Sequence, residues 1–539
     1  MIPSVLAIID KTSLPQFVTR RSRRKQMTEL DDLYGSVPEI NTKNSNCIDA
    51  YLKYKNEMTN PSARIDKSAW NDLDMEKVFN RVNYCITSIG EEYLYDSLHE
   101  IQLDDEILMK RDSLADYFAI NKEERLTVQM CLKAIGKFNS NGLTHLIFAP
   151  NIAMYKFAFI FNIFAIMPFF SILGYIVNTS LGFIFLFLTF FINLIIVYKS
   201  KLRIDIALPI MGYVASIITC CGILSKNTKL QRFSAIEKIQ ENHTVFKGLA
   251  KKLPRLLQGA VLNEIQESLL LYIDILFLRD LRKYNHFANT VIRHRDELHE
   301  LYKALGEIEL AICISSFRKS LPVFSKPIFH DNNSIEFVEL YHPLLKAPIK
   351  NTRIIKNDSI ITGSNASGKS TFIKSLAINC ILSQTLYTCT AEKYILRHSH
   401  VLTAMAIRDD ISNSESYFVA EIKAMKRIID LSQQFHCICF IDEILRGTNS
   451  KERVAASIAI LEHLNTRDGL CIVATHDIDI ATLLDDIYDN YHFREHLTDN
   501  DICFDYKIRC GISSTRNAIK LLELMGFNAN IVHKANELS

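Results

Sequence analysis

No sign of charge dominates this chain. Its 539 residues carry 62 Lys and Arg against 60 Asp and Glu, so no global field draws the whole molecule to nucleic acid or anionic lipid. Any such attraction is local. Paired cysteines are also missing. The 13 cysteines are scattered without a C-x-x-C spacing, and Cys437 and Cys439 alternate in an apolar run as strand residues would. The chain therefore reads as a reduced, cytosolic protein, not a disulfide framework or thiolate metal site. A convincing secretory signal is absent too: "MIPSVLAIID" has no basic residue ahead of its short apolar run and meets Asp10 early.

What is present is length enough for several compact units. Residues 1–65 are polar, with turn-forming clusters such as "NTKNSN" and the basic run "RRSRRK" from Arg20 to Lys25. They are expected to form a poorly ordered extension with one helix near Ile48 to Asn56, the basic run being a solvated arm. From Asp66, apolar residues at Leu73, Met75, Val78, Phe79, Val82 and Ile86 recur at helical intervals behind a possible Asp cap. Helical spacing continues through residues 66–150 and returns over 225–325, which predicts a large helical body.

Between these halves the texture changes. Phe157 to Val177 is 21 residues without a charge and Leu181 to Tyr198 is 18 more, separated by Asn178, Thr179 and Ser180. Runs of this length read as two bilayer spans, because crossing the hydrocarbon takes about 20 helical residues. Lys156 flanks one end and Lys199, Lys201 and Arg203 the other, while the turn has no basic residue. Both flanks are therefore expected on the cytoplasmic side. The alternative is a helical hairpin buried in a soluble core. Ile204 to Leu224 contains Asp205 and several small residues; it is expected to pack in the protein or lie at the interface. Asn178-Thr179-Ser180 formally matches a glycosylation acceptor but sits in a turn too close to a membrane to be used.

From residue 326 to 539 short apolar strands alternate with helices. "SIIT", "HCICFID" and "LCIVATH" are continuous runs of the kind buried on both faces of a parallel sheet. "ITGSNASGKSTF", Ile361 to Phe372, has the spacing of a phosphate-binding loop. Backbone N–H groups of Gly363, Ser364, Asn365, Ala366, Ser367 and Gly368 would wrap a phosphate, since glycine admits the required dihedrals. Lys369 would reach the β and γ phosphates of ATP, Ser370 would bind Mg²⁺, and Thr371 opens the helix whose N-terminus faces the anion. "CFIDE" ends a strand 73 residues past Lys369. It puts Asp442 in place to hold Mg²⁺ through water and Glu443 to polarise the attacking water. In "IVATH", His476 ends a further strand, where an imidazole could contact the γ-phosphate and the water.

Together these residues resemble the ATPase domain of the MutS family, the DNA mismatch-repair branch of the ABC-type ATPases. "TGSNASGKSTF" looks like its phosphate loop, "FIDEILRGTNSKE" like its metal-binding strand and dimer-contacting loop, and "ATHDIDIA" like its histidine switch. "RDDISNSESYFVAEIKAM" is similar to its signature segment and "ELYHPLL" and "YKIRCGISSTRNAIKLLELMGF" also fit, so the likeness spans about Glu339 to Ala535. Trp70 to about Phe317 resembles the family's helical core and lever more weakly.

The expected architecture is multidomain, α and α/β: the resemblance implies a helical core and lever followed by an ABC-type P-loop ATPase domain, and the apolar runs insert a transmembrane hairpin (151–224 with the further apolar helix) where the family continues its lever. The resemblance also implies a homodimer in which Ser416 reaches the partner's nucleotide, ATP hydrolysis by Glu443 and His476, and helical arms that move with nucleotide state. The chain departs from the family's mismatch readers in that only about 65 residues precede Asp66, too few for a mismatch-binding domain and connector. Phe337 to Glu339, the Phe-x-Glu tripeptide to be tested against their intercalating motif, abuts "LYHPLL" and reads as strand. Three outputs follow: DNA binding at a membrane, a membrane scaffold acting on a protein partner, or transport. The uncharged spans and a signature segment unlike a transporter's argue against the last.

Overall fold

The computed structural model describes residues 20–38, 48–58, 63–138, 159–249, 272–364, 367–405, 417–447, 449–497, 502–513 and 526–538. Asp66 caps helix Lys67–Asp72 by accepting from Ala69 N–H, and Thr87 caps Ser88–His99 from Gly90 N–H. These and the helices Met75–Val82, Asp105–Ile120 and Lys122–Ile135 pack around Arg295–Ser320, a 26-residue helix whose residues from Leu298 on are mostly buried. Gly306 permits this closeness, because a Cβ there would meet the Tyr93 ring at 2.5 Å.

The expected poorly ordered extension is corrected over its described part. Arg20–Leu33 is a helix docked on the body, and the helix expected near Ile48 to Asn56 is present as Ala50–Met58. Asp31 pairs with Lys122 at 2.5 Å and Arg125 at 3.1 Å, and the Arg125 guanidinium lies 3.4 Å from the Tyr34 ring centroid. Tyr51 is buried. The basic run thus opens a helix, with Arg24 and Lys25 facing solvent.

The apolar hairpin consists of Phe159–Val177 and Thr179–Leu224, with Asn178 alone as the corner, its side chain accepting from Ser180 N–H. The helices meet backbone to backbone: a Cβ on Gly182 would lie 2.6 Å from Tyr175 Cα. Two stretches, Phe159–Val177 and Thr179–Ser200, are long and apolar enough to cross a membrane, and only 22% and 17% of their most apolar windows are buried. The apolar stretch beyond is no separate helix. It continues the same 46-residue helix through Pro209, and from Met211 to Leu224 it packs into the body's core, as one of the two expectations had it.

The α/β half holds two sheets. In the larger, β4 (Ser359–Thr362), β6 (His400–Ala404), β7 (Cys437–Asp442), β8 (Gly469–Thr475), β9 (Asp489–Leu497) and β10 (Ile502–Cys510) are ordered β10-β9-β4-β8-β7-β6. Only the β9–β10 pair is antiparallel. The smaller sheet joins β1 (Ile328–Phe329), β2 (Ile335–Leu340), β3 (Asn351–Ile355) and β5 (Lys393–Leu396) in the order β1-β5-β2-β3, with β2 antiparallel to both neighbours. Phe337 to Glu339 lies within β2 as read from the sequence.

One core spans both halves. Phe79, Leu98, Ile308 and Phe317 of the body share a buried cluster with Phe372, Ile373, Leu376 and Ile381 of helix Lys369–Leu386. Polar ties reinforce it. Arg318, about 5% exposed, binds Asp112 at 2.7 Å and Asp116 at 3.2 Å while donating to Tyr387 O at 2.8 Å and Thr388 Oγ at 2.9 Å. Arg111 donates to Thr385 O at 3.0 Å. Lys326 also pairs with Asp112 and Asp116, at 2.8 and 2.6 Å, so removing Arg318 mainly leaves the carbonyl and hydroxyl it serves without their donor. Arg318→Leu is therefore expected to destabilise the protein by about 1–3 kcal/mol, read as a lowered denaturation midpoint, whereas Lys77→Ala, in an exposed pair with Asp74, should change it by less than about 1 kcal/mol.

Candidate functional site

Parallel register decides what meets at the C-terminal edge of the larger sheet. Thr362 of β4 pairs with Thr475 of β8, and Asp442 of β7 pairs with Ala474. The three loops that leave these strands therefore start side by side, the place where open α/β sheets bind ligands. The first carries the glycine loop, the second Asp442 and Glu443, the third His476.

The glycine loop uses its glycines for stated reasons. Gly363 and Gly368 have φ of 143° and 95°. A Cβ on Gly368 would come within 2.8 Å of the Tyr506 ring, and one on Gly363 within 3.0 Å of Phe493 O. Ser367 Oγ donates to Ser364 O at 2.7 Å, and Ser364 Oγ donates to Glu495 at 3.1 Å. Lys369, the first residue of its helix and about 3% exposed, turns its ammonium back into the loop, donating to Gly363 O at 2.5 Å and Ser364 O at 2.8 Å. Burial depresses its pKa from the ordinary lysine value, against the opposing pull of Glu443 and Asp442. Ser370 and Thr371 follow on the first turn, Thr371 exposed.

Glu443 leaves β7 in the left-handed region, φ 62°, with its N–H bonded to Ala474 O at 2.9 Å. That bend pins the residue to the end of β8 and turns its side chain, about 6% exposed, toward His476, whose Nδ1 lies 3.1 Å from Glu443 Oε1. Arg446 holds the second carboxylate oxygen. Arg453 in turn grips Asp477 through two bonds of 2.9 and 3.0 Å, fixing the residue after the histidine.

Of the residues singled out from sequence, the structure brings together Gly363, Ser364, Ser367, Gly368, Lys369, Ser370, Thr371, Asp442, Glu443 and His476. Asn365, Ala366 and Ser416 lie outside the described residues, as does most of the signature segment. Sequence reasoning missed Arg446, Arg453, Glu495 and Tyr506. The spacing of Arg446 three residues after Glu443 was a usable signal; the others depend on strands far apart in sequence. Among the described residues no cluster of three or more His, Cys, Asp or Glu forms a ready metal cage. A cation here would rely on Asp442, the Ser370 hydroxyl and ligand oxygens, as Mg²⁺ commonly does.

The depressed Lys369 pKa has a pH consequence. Below the ordinary lysine range the unfolded chain holds this proton more firmly than the folded one, so this group's contribution to stability rises with pH through that window. Buried thiols such as Cys221, Cys380 and Cys437, whose pKa burial raises, make total stability fall over the same range. The lysine's contribution is therefore read as a difference: the melting temperature of the wild type relative to Lys369→Met should rise from pH 8 upward, and parallel curves would contradict it.

Residues 359–539 match the family model described as MutS domain V. Among curated proteins the chain is 27% identical over 355 residues to mouse MutS protein homolog 4, covering 61% of this chain and 34% of that protein. It is 26% identical over 268 residues to the DNA mismatch repair protein MutS of Thermotoga maritima (47% and 33%) and 22% identical over 296 residues to the DNA mismatch repair protein MSH3 of Candida glabrata (51% and 29%). The matched stretch thus spans about a third of the length of these relatives. The domain match begins at β4 and takes in the strand ends that assemble this site, so the α/β half is similar to domain V of the MutS proteins.

Proposed function

We propose that this protein is a membrane-anchored MutS-like ATPase that binds ATP with Mg²⁺, acts as a homodimer through its α/β half, and passes nucleotide state to its helical body. The observation that carries the reading is the convergence of Lys369, Asp442, Glu443 and His476 at one end of a parallel sheet, with Glu443 3.1 Å from His476. A buried cation at a helix N-terminus, beside carboxylates it does not neutralise by direct contact, suits a polyphosphate carrying a divalent ion.

Bound ATP would supply the phosphoanhydride, and Mg²⁺ the charge screening. The chain's residues do the rest. The Gly363–Gly368 loop and Lys369 bind the phosphates; Ser370 and Asp442 hold the cation. Glu443, oriented by Arg446 and His476, accepts a proton from the attacking water. Ser416 of a second copy is assigned to complete the site in trans. Helix Lys369–Leu386 carries the change to the body through the bonds that Arg111 and Arg318 make to its end.

The hairpin's outward apolar faces favour lipid over a soluble core, since a core hairpin would be covered. Their basic flanks keep the α/β half cytoplasmic. The relatives' names speak of mismatch repair. By likeness to them the body is assigned to duplex DNA through backbone contacts, in a mismatch-repair-related or DNA-structure-processing role. A protein partner at the membrane is the alternative output.

Detergent-solubilised protein should hydrolyse ATP. Glu443→Gln should lower turnover roughly 10²–10⁴-fold while retaining nucleotide binding, and Lys369→Ala should lose both. Unchanged turnover in either variant would sink the ATPase assignment. DNA affinity that falls linearly in log–log form with salt would support the DNA output; ATPase indifferent to all DNA would move the partner search to protein.

A further inference from the structure

A short apolar segment just before helix Arg279–Arg293 lies against the hairpin. Residues 272–277 are helical, and Leu278, with φ of 46°, breaks the helix before Arg279. The Phe277 ring sits 5.4 Å from Phe169, and the Tyr272 ring 6.4 Å from Phe190. Leu278 and Leu281 share a cluster with Phe161, Phe164, Ile196 and Val197. Phe190 lies nine residues before Lys199, so Tyr272 stands about 13 Å up the hairpin from its basic end, at 1.5 Å per residue. That is near the middle of a hydrocarbon layer about 30 Å thick.

The segment meets one polar group of the span: Asn193, fully buried six residues before Lys199, donates its Nδ2 to Leu276 O at 2.8 Å, while its Oδ1 has no hydrogen-bond partner. Asp274, the segment's one charged residue, is paired with Arg279 at 2.5 Å across the break. Basic residues gather where the apolar contacts end: Arg282 Nε donates to Asn162 at 2.8 Å, Lys283 follows it, and Lys199 is exposed at the foot of the second span. Tyr272 itself is 60% exposed.

We infer that residues 272–278 are a third bilayer-embedded element, seated among the lipid acyl chains of the leaflet nearest the α/β half, with Arg282 and Lys283 at the phospholipid headgroups. The inference rests on the membrane reading of the hairpin. It makes the end of the body's central helix pair, Arg279–Arg293 and Arg295–Ser320, a membrane contact. Charge complementarity selects an anionic headgroup, and continuity with the apolar faces of the two spans selects the acyl layer beneath.

The chain has a single tryptophan, Trp70, buried in the body, which gives a constant emission against which one added tryptophan can be read. Full-length Tyr272→Trp, Phe187→Trp and Phe324→Trp are reconstituted into mixed phosphatidylcholine and phosphatidylglycerol vesicles with and without brominated acyl chains. Tyr272 and Phe187 are exposed aromatic positions, so the exchange fits without repacking; Phe324 is an exposed position of the body. The added emission of Tyr272→Trp is expected to be quenched at least half as strongly as that of Phe187→Trp, with Phe324→Trp unquenched. Quenching at Phe187→Trp but not at Tyr272→Trp overturns the third element and leaves the hairpin in the membrane. Quenching at neither position removes the membrane reading, and this inference with it.

Discussion

Everything in this protein is organised around one buried helix, Lys369–Leu386. Its first residue is the lysine of the site, and nearly all of its side chains after the first turn are buried. One face lies on the parallel sheet, the other on the helical body, so no part of it can shift without displacing packed atoms on both sides. Its C-terminal carbonyl region is held by two buried guanidinium groups of the body, Arg111 at Thr385 O and Arg318 at Tyr387 O. Cations there also complement the helix dipole, whose positive end faces the glycine loop. The site and the body therefore share one rigid strut.

From that strut the path outward is short. Arg318 sits near the C-terminal end of Arg295–Ser320, which at 1.5 Å per residue runs about 39 Å. At its far end His294 separates it from Arg279–Arg293, whose Leu281 touches the foot of the hairpin. Packed helices thus connect the glycine-loop helix to the base of the apolar pair. In the apolar hairpin Ser171 and Thr189 turn to backbone carbonyls: Ser171 to Pro168 O at 2.5 Å and Thr189 to Phe185 O at 3.0 Å. Large exposed side chains such as Ile176 and Phe187 cover the rest. Water would leave this surface strongly unfavourable, at about 25 cal/mol per Å² of apolar area.

The parts legible in the sequence were those where local chemistry and geometry coincide. A glycine loop between a buried strand and a helix admits few arrangements, and acids ending the next apolar runs fall at the same sheet edge once the strands are parallel; hence Lys369, Asp442, Glu443 and His476 were found together. Two uncharged runs of span length were equally plain. Less legible was whatever depends on partners distant in sequence. The Arg20–Leu33 helix looked like a solvated arm because its composition is polar, and it is fixed by Tyr34 and Asp31 docking on residues about 90 to 280 positions away. The 46-residue helix was read as two because Lys199, Lys201, Arg203 and Asp205 interrupt the apolarity, yet it runs on and its C-terminal third is buried in the body's core. The smaller, largely antiparallel sheet gave no signal beyond strand-like runs.

A membrane anchor also constrains what the body can do with DNA. A clamp that diffuses along a duplex must be free to travel with it, whereas a body whose 46-residue helix begins in the apolar hairpin and ends in its own core has its orientation fixed relative to the bilayer. Under the proposed function, nucleotide-driven movement would change the angle between body and membrane, not its position along a ligand. Such an arrangement would hold a bound partner at the membrane surface and release it on turnover. The buried ties from Arg111 and Arg318 to the site helix are what would make that release answer to hydrolysis and not to thermal rocking of the body.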